Sequence, residues 1–293
     1  MKLIQESPEH HFLTFLEDIK KDPGGWLGYR VAFSEQINHA DMISKPDHIK
    51  GRLHKLRKES EDLTQELAAK LKDDTTAMIY HFSDSDIILL VRPGKDSERE
   101  AIQTIFAAAE QKFGKKLCEQ NNLTKDLYTY QKLADARFLS ANRVKAYEAM
   151  ADTNRVQSIA LRRGRRDDPT IMIVEDDRFT ASYAATILNK DYDIVLAKTG
   201  EEAIILHIEH APDMVFLDIH LPGLDGIDTL RALRKADPEA FVFMLSVDTV
   251  KTNIVAANKE GAAGFLKKPF GKERLLAAVG KSPFVKNLKN KSV

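Results

Sequence analysis

Residues 214–226 read Met214-Val215-Phe216-Leu217-Asp218-Ile219-His220-Leu221-Pro222-Gly223-Leu224-Asp225-Gly226. An apolar run stops at a carboxylate, and Pro-Gly followed by Asp-Gly turns the chain and opens a helix. A run that is apolar at every position suits a strand covered on both faces, as in a parallel sheet. Four further short runs accompany it, at Ile171 to Val174, Asp193 to Ala197, Phe241 to Leu245 and Ala263 to Leu266. Segments of helical period follow them at 179–188, 200–210, 227–236, 250–260 and 271–279. Five strand-helix repeats within roughly 120 residues predict an α/β fold, a doubly wound parallel sheet with helices on both faces.

Ligands of such a sheet bind in the crevice beyond the carboxyl ends of its strands. There the sequence places Glu175-Asp176-Asp177 after the first strand, Asp218 after the third, Ser246 after the fourth and Lys267-Lys268-Pro269 after the fifth. Carboxylates brought to about 4 Å repel by on the order of 4 kcal/mol at an effective dielectric near 20, so the crevice calls for a counter-cation. A hard divalent ion takes oxygen ligands, a lysine supplies a point charge and a serine hydroxyl can donate to a phosphoryl oxygen. Together these are the parts of a phosphoryl-transfer site. Taken alone, Glu175-Asp176 can equally be read as the cap of the next helix.

On these residues the segment from about Asp168 to Lys281 resembles the receiver domain of two-component response regulators. The matching motifs are Ile171 to Asp177, Val215 to Gly226, Met244-Leu245-Ser246, and Gly261 to Phe270, in the same order as the strand ends. The resemblance implies Asp218 as the phosphoacceptor. It implies Glu175, Asp176, Asp218 and the backbone carbonyl of His220 as ligands of Mg²⁺. Lys268, not Lys267, matches the phosphate-contacting lysine, with a cis bond to Pro269. Ser246 and Phe265 match the switch hydroxyl and switch aromatic, although Val247 is larger than the residue common at its position and Phe265 lacks a tyrosine hydroxyl. His220 and Asp248 are implied beside the site, where they would tune the lifetime of the phosphoryl group. A sensor histidine kinase or a phosphotransfer protein is the implied donor, and no separate enzyme activity is expected.

Outward from the receiver, Leu161-Arg162-Arg163-Gly164-Arg165-Arg166-Asp167-Asp168-Pro169 marks the main boundary. The expected organisation is an α+β module at 1–122, a helical connector at 123–167 and the receiver at 168–293. In the module, a strand is predicted at Trp26 to Phe33 and a helix at Asp47 to Leu71. A hairpin follows, Ala77 to Phe82 and Ile87 to Arg92 around Ser83-Asp84-Ser85-Asp86, then a helix at Ser97 to Phe113. Gln120-Asn121-Asn122 reads as a polar break, after which a helical stripe runs from about Thr124 toward Leu161. The stripe Ile49, Leu53, Leu56, Ser60, Leu63 and Leu67 can face a core or a dimer seam.

The element order is like that of ferredoxin-like domains, diguanylate cyclases among them. The cyclase signature Gly-Gly-Asp-Glu-Phe is here Ser83-Asp84-Ser85-Asp86-Ile87, whose aspartates read as solvated turn residues. His54-Lys55-Leu56-Arg57 faintly resembles the helix motif of histidine phosphotransfer domains. The cluster Arg155, Arg162, Arg163, Arg165 and Arg166 reads as a solvated linker. The expected output is phosphorylation-dependent protein interaction or dimerisation, with a downstream protein partner. Cyclase-like activity, phosphotransfer on His54 and DNA binding are the alternatives.

Composition agrees with a folded chain: 43% of the 293 residues are hydrophobic and 30% charged. Lys+Arg and Asp+Glu number 44 each, so no global basic field favours nucleic acid. Cys118 is the single cysteine and makes no intramolecular disulfide, which suits a reducing compartment. The first residues include charged Lys2 and Glu6, and no run reaches the roughly 20 apolar residues of a membrane span, so a cytoplasmic location is expected.

Overall fold

The computed structural model describes residues 1–37, 43, 45, 48–74, 76–247 and 251–291. The chain forms two compact units, one of Met1–Met42 with Asp47–Val144, the other of Ile43–Pro46 with Lys145–Val293.

The first unit is built on strands β1 (Lys2–Ile4), β2 (Leu27–Val31), β3 (Met78–His81), β4 (Ile87–Val91) and β5 (Cys118–Asn122). Their order is β1-β3-β4-β2-β5. The strands β2 to β5, with helices α2 (Ile49–Lys70) and α3 (Asp96–Phe113) between them, form the βαββαβ arrangement of a ferredoxin-like core. β1 adds a parallel edge beside β3. α1 (Pro8–Ile19) and α4 (Leu123–Met150) supply Phe12, Leu16, Tyr130 and Ala134 to a core shared with Tyr80, Phe82 and Leu90. Every residue of β4 is buried, as a central strand covered on both sides requires.

Two expectations for this unit are corrected. The polar break at Gln120-Asn121-Asn122 is the end of strand β5, paired antiparallel to β2. An edge strand has one neighbour and needs no apolar run, so its polar residues conceal it. Ser83-Asp84-Ser85-Asp86 is not a solvated turn either. Asp84 and Asp86 are 1% and 0% exposed. Arg137 of α4 donates to Asp84 Oδ2 at 2.9 Å and to Asp86 Oδ2 at 2.5 Å, and Arg30 of β2 donates to Asp86 at 3.2 Å.

Helix α4 has a non-helical residue at Asp126 and ends at Met150; two short helices, α5 (Thr153–Gln157) and α6 (Ile159–Gly164), follow. The stretch 123–167 is thus shared: Leu123 to Val144 lies in the first unit and the rest in the second.

The second unit carries β6 (Thr170–Val174), β7 (Asp193–Ala197), β8 (Met214–Asp218), β9 (Val242–Ser246) and β10 (Gly264–Lys267), all parallel, in the order β10-β9-β8-β6-β7. Between and after them run α7 (Arg178–Leu188), α8 (Gly200–His210), α9 (Gly226–Ala236), α10 (Lys251–Lys259), α11 (Lys272–Val279) and α12 (Pro283–Lys291). This is the predicted doubly wound α/β sheet. The expected start of α10 at Val250 lies outside the described residues.

The arginine cluster of this unit is corrected in part: Arg155 and Arg165 are exposed, but Arg162, Arg163 and Arg166 are not a solvated linker. Arg163 is 3% exposed and forms an ion pair with Asp237. His207 Nε2 lies 3.0 Å from the same carboxylate. Burial disfavours the charged Asp237, yet His207 and Arg163 hold its pKa down to about 2. Arg162 donates to the carbonyls of Ile208 and Glu209 at 2.6 and 2.7 Å, in and beside the last turn of α8. Arg166 pairs with Asp213 at 3.0 Å. Exposed C-terminal carbonyls attract cations, which draws these side chains onto the sheet's lower end.

Candidate functional site

The parallel ladder gathers the site. Val174 of β6 stands opposite Leu217 of β8, so the next residues, Glu175 and Asp218, emerge side by side. Lys267 of β10 stands opposite Ser246 of β9, and the Lys268 amide donates to the Ser246 carbonyl at 2.8 Å. The fifth strand therefore delivers the Lys268 side chain to the same crevice, and the Lys268-Pro269 bond is cis.

Carboxylate oxygens of Glu175, Asp176 and Asp218 all lie within 4.8 Å of one another. Glu175 and Asp218 are buried and Asp176 is exposed. The Lys268 ammonium donates to Asp218 Oδ2 at 2.7 Å and pairs with Glu175 Oε2. Burial raises the pKa of Glu175, as does the Asp218 charge, while the bond from Lys268 opposes both. Burial also works against the Lys268 ammonium, but Asp218 and Glu175 outweigh it and hold its pKa above the ordinary value. One cation against three carboxylates leaves the crevice an excess of negative charge.

The turn after β8 explains its glycines. Gly223 has φ +81°, and a Cβ there would crowd the Glu201 carboxylate. Gly226 opens α9 directly against the backbone of Asp218, and any side chain there would overlap the Asp218 carbonyl. The glycines of this motif thus let the turn pack against the Asp218 backbone and the Glu201 side chain.

Glu175, Asp176, Asp218 and Lys268 come together as expected. Ser246 is buried at the end of β9, level with Lys267. Phe265 is half-buried in the middle of β10, opposite Met244, and His220 is exposed in the turn after β8. Asp248 lies outside the described residues. Asp177, the third acid of its run, caps α7 by accepting from the Thr180 amide at 2.7 Å. His54 is exposed on α2, which packs on a mixed sheet and not in a helical bundle.

Sequence reasoning missed the surroundings of Lys268. A groove of about 700 Å³ adjoins it, walled by Phe179 and Tyr183 of α7, Val247, Pro269 and Phe270. Phe179 is 85% exposed, and Val247 and Tyr183 are exposed as well. An aromatic two residues beyond an acidic run, at the start of a helix, was the available signal.

Fold and crevice together define an α/β domain with an acidic site at the carboxyl ends of its parallel strands. A family profile described as the response regulator receiver domain matches residues 171–280. The chemotaxis protein CheY of Bacillus subtilis is 34% identical over 114 residues, covering 38% of this chain and 95% of that protein. The DNA-binding response regulator MtrA of Mycobacterium leprae is 34% identical over 110 residues, 37% of this chain and 48% of its own. The crystal structure of the receiver domain of NtrX from Brucella abortus has 31% sequence identity and a TM-score of 0.37, covering 40% of this chain and 98% of that one. The chain belongs to the response regulators of two-component systems, and its second unit contains the receiver domain. Among the described residues no helix is long and apolar enough to cross a membrane.

Proposed function

We propose that this response regulator is phosphorylated on Asp218 by a sensor histidine kinase or phosphotransfer protein, and that phosphorylation controls its contacts with a protein partner or a second copy. The observation carrying the first part is the convergence of Asp218, Glu175, Asp176 and Lys268, with Lys268 2.7 Å from the Asp218 carboxylate.

An Asp218 carboxylate oxygen attacks the phosphorus of a phosphohistidine; an O–P bond forms, the P–N bond breaks, and the imidazole leaves with the bonding pair and takes up a proton. Lys268 stabilises the transferring oxygens, and Ser246 donates to one of them once the acyl phosphate has formed. Phe265, two residues from Lys267 on β10, follows that movement as the switch aromatic. The hard oxygen donors of Glu175, Asp176 and Asp218 fit Mg²⁺, with the backbone carbonyl of His220 completing the protein ligands. Bound there, the ion supplies neutralising charge to the carboxylates and phosphoryl oxygens. The groove beside Lys268, with Phe179 and Tyr183 exposed along it, suits the donor protein's surface.

Incubation with acetyl phosphate and Mg²⁺ followed by intact-mass spectrometry tests the chemistry. Wild type gains one phosphoryl group and Asp218→Asn none; a labelled Asp218→Asn protein refutes the assignment. Light scattering with and without beryllofluoride tests the output, through mass or through partner capture.

Neither enzymatic alternative gains support. Asp84 and Asp86 are sealed by Arg30 and Arg137, and His54 lies on a helix against a sheet. The proposed setting is the cytoplasm, and the balanced charge of the chain gives nucleic acid no general hold.

A further inference from the structure

We propose that α2 is a self-association surface on which two copies of this chain meet antiparallel, about a two-fold axis level with residue 60. The face carrying the stripe Ile49, Leu53, Leu56, Ser60, Leu63 and Leu67 is buried in its own unit, so it is core and not seam. The opposite face is exposed, and its charges are segregated along the helix. Lys50, Arg52, Lys55, Arg57 and Lys58 precede residue 59, whereas Glu59, Glu61, Asp62 and Glu66 follow residue 58, before Lys70 closes the helix.

That polarity opposes the helix macrodipole, which favours acids at the N-terminal end and bases at the C-terminal end. The helix's own stability does not account for it. Self-complementarity does. In an antiparallel pair centred at residue 60, Lys58 faces Asp62 of the other copy and His54 faces its Glu66. Gly51 faces Ala69, so the smallest residues of the exposed face meet at both ends, where the helix axes can approach closely. A parallel pair would set like charges against each other. A two-fold pairing repeats each contact, which is what an isologous interface requires.

Some of this charge is already engaged within the chain. Lys55 approaches Glu59 at 4.0 Å and Lys70 approaches Glu66 at 3.7 Å. Lys112 of α3 shares a shallow groove with Asp62 and Glu66. Exposed pairs are individually weak and screened by salt, so the association is low in affinity and salt-sensitive. It requires neither Asp218 nor its phosphorylation.

Sedimentation velocity of the unphosphorylated full chain tests this. At about 50 mM salt a dimer forms as concentration rises, and about 300 mM salt weakens it at least tenfold. Lys58→Glu alone and Asp62→Lys alone each weaken it by about tenfold or more. The double exchange restores it. Mixing the two single variants restores it too, because in the mixed pair the two reversed positions face each other and the two unaltered positions do the same. A chain that stays monomeric at low salt overturns the proposal. So does a dimer indifferent to the single reversals, or one the double exchange does not rescue. Duplex DNA bound through the basic half without self-association would assign the face to a polyanion and likewise overturn it.

Discussion

Among the described residues, a cluster of acidic side chains at strand ends in the receiver and another in the N-terminal module have opposite characters. In the receiver, Glu175 and Asp218 share one ammonium, and Asp176 remains exposed. In the N-terminal module, Asp84 and Asp86 are enclosed and matched by the guanidinium groups of Arg30 and Arg137. Arg30 also reaches Glu35 at 3.0 Å and Glu119 at 3.5 Å. A buried charge is tolerated when paired and hydrogen-bonded, and at 1% and 0% exposure Asp84 and Asp86 leave a ligand no access. Access, not the count of aspartates, separates an open crevice from an enclosed one.

Four substitutions probe the contrast. Asp218→Asn removes the proposed nucleophile, and mass spectrometry should find phosphorylation abolished with the fold intact by circular dichroism. Arg137→Met takes the cation from Asp84 and leaves Asp86 to Arg30 alone. Removing one partner of a buried pair costs about 3–5 kcal/mol, which a urea titration of the full chain would read as an early transition of the module.

Asp84→Asn tests the cost of enclosure. Burial, with the Asp86 charge beside it, pushes Asp84 up to about 6. An ordinary aspartate titrates near about 4, so between these values the folded chain binds a proton that the unfolded chain has released. This group's contribution to stability therefore falls as pH rises from about 4 to about 6. The urea midpoint of the module should drop across that window, and Asp84→Asn should flatten the drop. The smallest effect belongs to Asp177→Ala, which removes the cap of α7 beside the crevice. It should lower the receiver's Tm by roughly 2–5 °C and leave phosphorylation unchanged. Loss of phosphorylation there would place Asp177 in the site.

The receiver could be read because its chemistry is collected by strand order. Glu175, Asp218, Ser246 and Lys268 each stand at the end of an apolar run, and parallel strands place such residues at one edge whatever lies between them. The module could be read only in part. The hairpin and α2 follow from local pattern, but the burial of Asp84 depends on Arg137, 53 residues away. Two signals were present. Arg30 interrupts the apolar strand Leu27–Val31, and Arg137 falls on the stripe that also carries Tyr130, Ala134, Ala141 and Val144. A cation on an apolar stripe implies an anion facing it. β5 was hidden for a different reason: its partner lies on one side only, so sequence periodicity had little to record.

The arginines of α6 bear on where this receiver can be cut from its gene. A fragment confined to residues 171–280 would retain Asp237, His207 and Asp213 but lose Arg163 and Arg166, stranding two enclosed carboxylates without their cations. Transplanted at those limits into another protein, the domain would arrive with an electrostatic wound. Starting near Thr153 would keep Arg162, Arg163 and Arg166 with the surface they bind, so for a domain exchange the portable cassette is longer at its N-terminal side than the motif by which it is recognised.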